Sequence, residues 1–204
     1  MGLRNNELTY GSVAKWFHWS IALFVVVAYI AVHYGHYFTE PRTDGRRMAV
    51  AIHMMVGFSV LILVVPRLIW KFINPRPAHA PAPQWQHWAS RVSHGALYFF
   101  MIAMPLSGWF SYGRPINFYW LFEIPQFGNT QLFQWLVADK LSIPFSEFEA
   151  PFDYFHKKIA GPWMLWILVA IHVAAALYHH FVRRDDTMRK MLPRGRIADG
   201  RSDS

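Results

Sequence analysis

Four long apolar stretches are the feature that most constrains how this chain of 204 residues can fold. They cover about residues 16–34, 48–72, 92–112 and 159–182, and charged residues or prolines bound each one. A helix needs about 20 apolar residues to cross a hydrocarbon layer, and inside that layer its backbone must satisfy its own hydrogen bonds. The sequence therefore predicts an all-α integral membrane protein, a single membrane domain over residues 1–204 folded as a four-helix bundle.

The composition supports this class of protein and excludes several others. Charged residues make up 16% of the chain, whereas a soluble domain carries about 25%. The chain has no cysteine, which excludes disulfides, iron–sulfur clusters, thiolate zinc sites and covalently attached haem. The first residues lack the apolar run of a secretory signal, so we expect the first span to be retained.

The basic residues are distributed unevenly between the two sides of the predicted bundle. The N-terminus, the loop between the second and third spans together with Arg67 and Lys71 at the end of the second span, and the tail 183–204 hold 13 of the 20 basic residues and 5 of the 12 acidic ones. The other two connections, including the long outer loop 113–158, hold the remaining 7 and 7. The positive-inside rule then places both termini in the cytoplasm. Membrane lipid is the partner expected for the basic tail, and no nucleic acid is expected.

Histidines, rather than carboxylates, are the ionisable residues of the predicted spans, and such residues are functional candidates. The candidates among them are His18, His53, His94, His156, His172, His179 and His180. Threading the chain through the membrane brings His18 and His172 to the cytoplasmic side. It brings His53 and His156 toward the outer side, and about 20–25 Å of helix axis separates His156 from His172.

Facing imidazoles on different helices of a bundle are a common way to hold a cofactor in its core. Histidines at matched depths therefore favour two haem sites, one near each face of the membrane. Three alternatives remain open at this point: histidines that only hydrogen-bond between helices, a proton relay, and a zinc site. The last two usually recruit Asp or Glu, which the spans lack.

Several runs of residues resemble the bacterial cytochrome b561 family, from about Tyr10 to Pro193. The matching runs are Trp16-Phe17-His18-Trp19, His53 with Gly57, His94, Met104-Pro105-Leu106-Ser107-Gly108, His172 to Phe181 with its His179-His180 pair, Arg184 to Met188, and Met191-Leu192-Pro193. The resemblance implies two haem b groups in a multi-pass protein of the bacterial inner membrane. It implies that His18 and His172 bind the cytoplasmic-side haem iron and that His53 and His156 bind the outer one.

The nearest resemblance is to stand-alone members that act as superoxide oxidase. It implies an oxidoreductase that takes electrons from superoxide on the periplasmic side and reduces ubiquinone. The alternative is a cytochrome b subunit that links a periplasmic dehydrogenase or hydrogenase, as redox partner, to the quinone pool. A haem-containing sensor or scaffold is a third reading, which leaves the remaining histidines unexplained.

One spacing departs from the family pattern. The family usually separates the two ligands of the fourth span by about 14 residues, whereas 16 positions separate His156 from His172. In an unbroken α-helix this gap turns the two side chains roughly 160° apart. Because Gly161-Pro162 lies between them, we expect the regular helix to begin near Pro162, with His156 on a preceding turn or bulge.

A quinone site is predicted on the cytoplasmic side. His179 follows His172 by two helical turns on nearly the same face, and His94 should reach a similar depth. Imidazole suits proton donation to a quinone headgroup, so His94 and one of His179 or His180 are expected to line a pocket for ubiquinone. The alternative is that they bind haem propionates or pack against neighbours.

A basic patch is predicted beside the outer haem. Arg46, Arg47, Lys157 and Lys158 flank the two outer histidines, and local positive charge raises the local concentration of an anion such as superoxide. Anchoring to lipid headgroups is the alternative. The outer loop is rich in aromatic residues, which favours one or two short helices on the membrane that cap the outer haem, or else a surface that docks a partner.

Overall fold

The computed structural model describes residues 2–78 and 81–193, so the tail residues 194–204 lie outside the described part. Most of these residues are helical. In chain order the elements are α1 (Ser12–Phe38), α2 (Asp44–Ile73), α3 (Gln84–Ser111), the strands β1 (Ile116–Phe118) and β2 (Phe122–Ile124), the short helix α4 (Gln131–Phe133), and α5 (Phe145–Arg183).

The four long helices form the predicted membrane bundle. Among the described residues α1, α2 and α5 are long and apolar enough to cross a membrane. With 28 residues, α3 has the length, but its first turns carry Gln84, His87, Arg91 and His94. Large apolar side chains remain exposed on the bundle, as expected of surfaces that face lipid: Leu23, Ile30, Ile62, Ile69, Ile167 and Ile171.

The fourth helix differs most from its prediction. It begins at Phe145, inside the segment predicted as outer loop, and it passes through Pro162 without ending. The regular α-helix resumes at Leu165, close to the expected start near Pro162, and His156 lies on the expected bulge before it. The α-helical part Phe145–Tyr154 upstream of the bulge was not expected. Residues Phe155–Met164 form a π-helical segment, in which hydrogen bonds run from i to i+5 and the missing proline N–H is accommodated.

The core of the bundle lies between the levels of the inner and outer histidines. Ile21 of α1 and Val60 and Val64 of α2 are nearly inaccessible to solvent, and Tyr98 and Met101 of α3 pack against them. In a lipid bilayer such side chains stabilise the bundle through close van der Waals packing rather than through transfer out of water. This packing holds α1, α2 and α3 at fixed relative heights, which sets the depths of the histidines they carry.

Between α3 and α5 the chain forms a β-hairpin, which the sequence did not predict, and short helical pieces: a 3-10 turn over Phe127–Asn129 and α4, which continues into the π-helical residues Gln134–Asp139. In this hairpin Phe118 of β1 pairs with Phe122 of β2. In the turn between them, Tyr119 and Trp120 adopt positive φ angles of 49° and 59°. Bulky residues rarely adopt this conformation. The turn is held on α2, because the Tyr119 hydroxyl lies 3.0 Å from Ser59 Oγ.

Beyond the hairpin, a cluster of phenylalanines covers the outer ends of α3 and α5. Phe127, Phe133 and Val137 are buried in it, and Phe110 and Phe148 pack against them. The cluster lies next to the start of the π-helical segment, so it fixes the part of α5 that leads into His156.

Candidate functional site

The outer histidines of α2 and α5 face each other. The ring centres of His53 and His156 lie 6.0 Å apart with their planes at 88°. Two imidazoles that bind one metal ion from opposite sides, with metal–nitrogen bonds of about 2 Å, place their ring centres about 6 Å apart. The spacing therefore fits one iron between them.

Hydrogen bonds orient both outer rings. The Nδ1 of His53 lies 2.8 Å from the carbonyl oxygen of Ala28, and that of His156 lies 3.0 Å from the carbonyl oxygen of Met104. A carbonyl only accepts, so each Nδ1 carries the ring hydrogen and donates it. The Nε2 lone pairs are thus left for a metal, which is the arrangement usual for histidine ligands.

A glycine allows His156 to lie against α3. A Cβ placed on Gly108 would be 3.0 Å from Cε1 of His156 and 3.3 Å from its Nδ1. The preceding residue contributes a hydroxyl, because Ser107 Oγ is 3.2 Å from the same Nδ1. The run from Met104 to Gly108 therefore shapes a seat for this one imidazole.

The π-helical segment brings His156 and His172 to compatible faces of α5. Each i to i+5 turn takes up one residue more than an α-turn, so ten π-helical residues absorb about two residues of rotation. The gap of 16 positions then behaves as about 14 in an α-helix, which leaves the two side chains about 40° apart rather than 160°.

The inner histidines form a second pair. The ring centres of His18 on α1 and His172 on α5 are 6.1 Å apart with planes at 65°. This spacing also fits one iron. His94 of α3 joins them, since its ring centre is 5.5 Å from that of His172 and its Nδ1 donates to the carbonyl of Ser90 at 2.7 Å.

Arg67 contacts the inner pair directly. Its Nη2 donates to Nδ1 of His18 over 2.9 Å, so a neutral His18 carries its ring hydrogen on Nε2 in this arrangement. Iron at Nε2 requires the opposite tautomer, in which Arg67 has released Nδ1. Arg67 and Lys71 also lie over the ring of Tyr98, at 5.5 and 4.3 Å from its centre.

Tyr10 lies just before α1 in the same region. Burial raises the pKa of its phenol, the neighbouring Tyr98 adds to this, and Arg76 and Arg67 oppose it. Two tyrosines and several cations therefore border the inner histidine pair, at the end of the bundle where the N-terminal segment lies.

His179 and His180 take different surroundings. His179 Nδ1 lies 2.6 Å from Oδ2 of Asp185, and both side chains are largely buried. Burial raises the pKa of the Asp185 carboxyl, but hydrogen bonds from Thr187 and His179 outweigh it and bring that pKa below its usual value. His180 has its ring 4.8 Å from that of Phe181.

Of the four basic residues predicted to attract superoxide, two are paired with carboxylates. Arg47 lies 3.3 Å from the carboxylate of Asp44, and Lys157 lies 2.5 Å from that of Asp153. Arg46 donates to the carbonyl of Gly35 at the end of α1, a contact that leaves its charge in place. Lys158 is exposed.

The sequence indicates the imidazoles but not the groups that orient them. The carbonyls of Ala28 and Met104 and the Gly108 seat depend on helix packing, which no local pattern encodes. The importance of Gly108 could have been inferred from the sequence, since it stands one turn after Met104 in the family-like run Met104 to Gly108. The contact between Arg67 and His18 had no such signal.

Two histidine nitrogens at each level suit a cofactor that brings its other metal ligands with it, as haem does. Within residues 2–78 and 81–193, no three His, Asp or Glu side chains converge as around a bare metal ion. The outer pair fits haem in both spacing and tautomer, and the inner pair fits in spacing. The fold and site thus define a helical membrane protein built around paired histidines.

Comparison with known proteins gives the family. A family model described as prokaryotic cytochrome b561 matches residues 9–194. The chain is 29% identical over 178 residues to cytochrome b561 homolog 1 of Escherichia coli (strain K12), which covers 87% of this chain and 93% of that protein. Homolog 2 of the same organism is 25% identical over 207 residues, or 94% and 95% of the two chains.

A third relative, the probable superoxide oxidase CybB of Yersinia pestis, is 26% identical over 187 residues, covering 88% of this chain and 93% of that protein. This chain belongs to the prokaryotic cytochrome b561 family. It is a multi-pass bacterial membrane protein with a role in electron transfer, and its family implies that it binds haem b. The prediction made from the sequence motifs is confirmed at this level.

Proposed function

We propose that this chain is a di-haem b-type cytochrome that oxidises superoxide at the periplasmic face of the inner membrane and reduces ubiquinone. The observation that carries the proposal is the presence of two histidine pairs, 6.0 and 6.1 Å between ring centres, at two levels of one bundle. The spacing along α5 puts roughly 20–24 Å between these levels.

In this proposal His53 and His156 hold the outer haem and His18 and His172 hold the inner one. Haem supplies reversible one-electron chemistry when bound. The chain would contribute the imidazole nitrogens that hold each haem, the carbonyls that fix the outer tautomers, and a packed apolar core of Ile21, Val60 and Val64 between the two levels. Arg67 is proposed to leave His18 and to bind a carboxylate of the inner haem.

The overall reaction balances as two superoxide anions, one quinone and two protons giving two molecules of dioxygen and one quinol. Superoxide as the donor is supported by the relative named probable superoxide oxidase. Because Arg47 and Lys157 have carboxylate partners, we assign the attraction of superoxide mainly to Arg46 and Lys158. His94, with His179 or His180, is proposed to line the quinone site.

The first experiment is a haem assay on the detergent-purified chain, together with superoxide consumption and quinol formation. We expect two b-type haems per chain, and two superoxide anions consumed for each ubiquinone-1 reduced. The His53→Ala and His18→Ala variants should each retain one haem, with different spectra. One haem in the wild-type chain would overturn the four-ligand scheme.

The same preparation separates the proposed enzyme from an electron-transfer subunit. Two haems that ubiquinol reduces, without any consumption of superoxide, would support a subunit that serves a periplasmic dehydrogenase or hydrogenase. For the enzyme, Lys158→Glu should slow superoxide consumption several-fold at low salt and little at high salt. Lys140→Glu, in the outer segment beside Trp135, is the control and should leave the rate unchanged.

A further inference from the structure

The chain folds back on itself at the end of α5. Residues His179–Arg183 form a second π-helical turn, and Arg184 follows in the left-handed conformation with φ 54° and ψ 33°. This reversal allows Asp185 N to donate to the carbonyl of His179 at 3.1 Å. The carboxylate of Asp185 thereby reaches the imidazole of His179.

Asp185 is held from several directions. Its Oδ2 lies 2.6 Å from His179 Nδ1, its Oδ1 accepts from the Thr187 backbone N–H at 3.0 Å, and the Arg183 Nε is 3.7 Å away. Arg183 is itself anchored to α3, because it donates to Gln86 Oε1 at 2.6 Å. The carboxylate therefore has one fixed position.

This position is electrostatically unusual. The C-terminal end of a helix carries partial negative charge and disfavours a carboxylate, yet Asp185 lies there with a side chain only 16% exposed. A protonated imidazole at the same helix end is favoured by both the helix and the carboxylate. The pair is thus arranged to support an imidazolium at His179.

The hydrogen bond also selects the reactive nitrogen. A carboxylate accepts from Nδ1–H, which leaves Nε2 as the nitrogen that exchanges a proton. His179 follows His172 by seven residues, so it lies about 10 Å further along the helix on nearly the same face. It is well placed to serve a headgroup bound near the inner histidine pair.

We infer that Asp185 is a positioning residue that makes His179 the proton donor for quinone reduction. This inference rests on the proposed function. The quinone takes two electrons, which come from two superoxide anions, and two protons to become quinol. His179 gives one proton from Nε2 to a quinone oxygen, and solvent supplies the other. Solvent on the cytoplasmic side returns the proton to Nε2, and Asp185 stays ionised throughout.

The test compares two electron acceptors in the purified holoprotein after reduction. Ubiquinone-1 needs protons, whereas ferricyanide takes an electron alone. Asp185→Asn should lower the maximal rate of ubiquinone-1 reduction about 10- to 100-fold, because the neutral amide no longer stabilises the imidazolium. The ferricyanide rate, the haem content and the KM for ubiquinone-1 should stay within about twofold of wild type.

Two further variants keep the inference falsifiable. Asp185→Glu should recover much of the rate, and His179→Gln should show the same loss as Asp185→Asn. The double variant should be no slower than either single one, because residues that act as a unit are not additive. Affinity for ubiquinone-1, measured by quenching of tryptophan fluorescence, should be unchanged in Asp185→Asn and Asp185→Glu, whose side chain does not touch the quinone.

The results separate a failure of the proposed function from a failure of this inference alone. A wild-type chain that does not reduce ubiquinone-1 overturns the proposed function and this inference with it. A normal ubiquinone-1 rate in either Asp185→Asn or His179→Gln overturns the inference alone. Equal losses with ferricyanide and ubiquinone-1 in both variants would mean that the pair only supports the fold, which also overturns it.

Discussion

Among single residues, Gly108 has a requirement for glycine that bears directly on a histidine of the candidate site. It has ordinary helical geometry, so its backbone does not need glycine. The requirement is steric, because the edge of the His156 ring occupies the space where a Cβ would be, at 3.0 Å from Cε1. His156 is also tied to α3 through the carbonyl of Met104, which restricts how far the ring can retreat.

We therefore expect Gly108→Ala to weaken the outer haem site selectively. Overpacking of this kind costs about 1–3 kcal/mol, or roughly a ten- to hundredfold loss of affinity. Haem per chain should fall from two toward one, and the remaining spectrum should be that of the inner site. The measurement is haem quantification with a reduced-minus-oxidised spectrum.

Gly95→Ala is the matched control. It makes the same substitution within α3, but no atom lies within 4 Å of the position its Cβ would take. This variant should bind as much haem as wild type. Full haem binding by Gly108→Ala would show that His156 moves freely and that the Gly108 seat does not hold it.

Residue types and spacing were enough to select the imidazoles as candidate ligands, because ionisable groups in apolar spans are conspicuous. The structure brings together His18 with His172 and His53 with His156, as expected from the order in which the four spans cross the membrane. The partners of these imidazoles were not predictable. Carbonyls such as that of Ala28 become hydrogen-bond acceptors for another helix only once the helices are packed.

At the scale of elements, α5 combines two requirements that a regular helix cannot meet together. It must cross the membrane without a break, and it must present His156 and His172 to the same bundle core across 16 positions. The π-helical segment Phe155–Met164 satisfies both. Gly161 is part of this solution, because a Cβ there would lie 2.5 Å from the carbonyl oxygen of His156.

Deletion of Gly161 and Pro162 together should therefore preserve both haem sites. The gap becomes 14 residues, which in a regular α-helix leaves His156 and His172 about 40° apart. The deletion also removes the proline that disfavours an α-helix. We expect close to two haems per chain, with α-helical hydrogen bonding through the former π-helical segment.

Insertion of two alanines between Leu168 and Val169 is the complementary variant. It lengthens the spacing between His156 and His172 to 18 residues. The π-helical segment absorbs about two of these, so the spacing is equivalent to 16 residues of α-helix, and His156 should point roughly 160° away from His172. The outer haem should be lost and the inner one kept. Loss of the outer haem in the deletion variant would contradict this role for the π-helical segment.

The limits of prediction for elements follow from the same physics. Apolar length predicted the four long helices, since that requirement is set by the membrane. The ends were less predictable, because a helix continues into solvent wherever packing supports it, as the phenylalanine cluster does for the start of α5. The hairpin was missed because its turn uses Tyr119 and Trp120, which carry no local turn signal.

At the scale of the whole molecule, the proposed function depends on which end of the bundle faces which compartment. The Arg67 and His179 end carries the excess of basic residues, and its loops are joined there. Thr9 Oγ1 donates to the carbonyl of Lys190 at 3.2 Å, and Lys190 Nζ donates to that of Ala78 at 2.7 Å. The positive-inside rule predicts that this joined, basic end faces the cytoplasm.

The absence of cysteine makes this orientation directly measurable. We expect a Ser146→Cys variant, at the exposed start of α5, to react with a membrane-impermeant maleimide in intact spheroplasts. A Leu8→Cys variant, on the exposed N-terminal segment, should react only after lysis. The reverse pattern would place His179 and Asp185 in the periplasm, where quinone would take its protons from outside. Superoxide would then meet the His53 pair from the cytoplasm, so the sidedness of the proposed reaction would be inverted even if every residue kept its role.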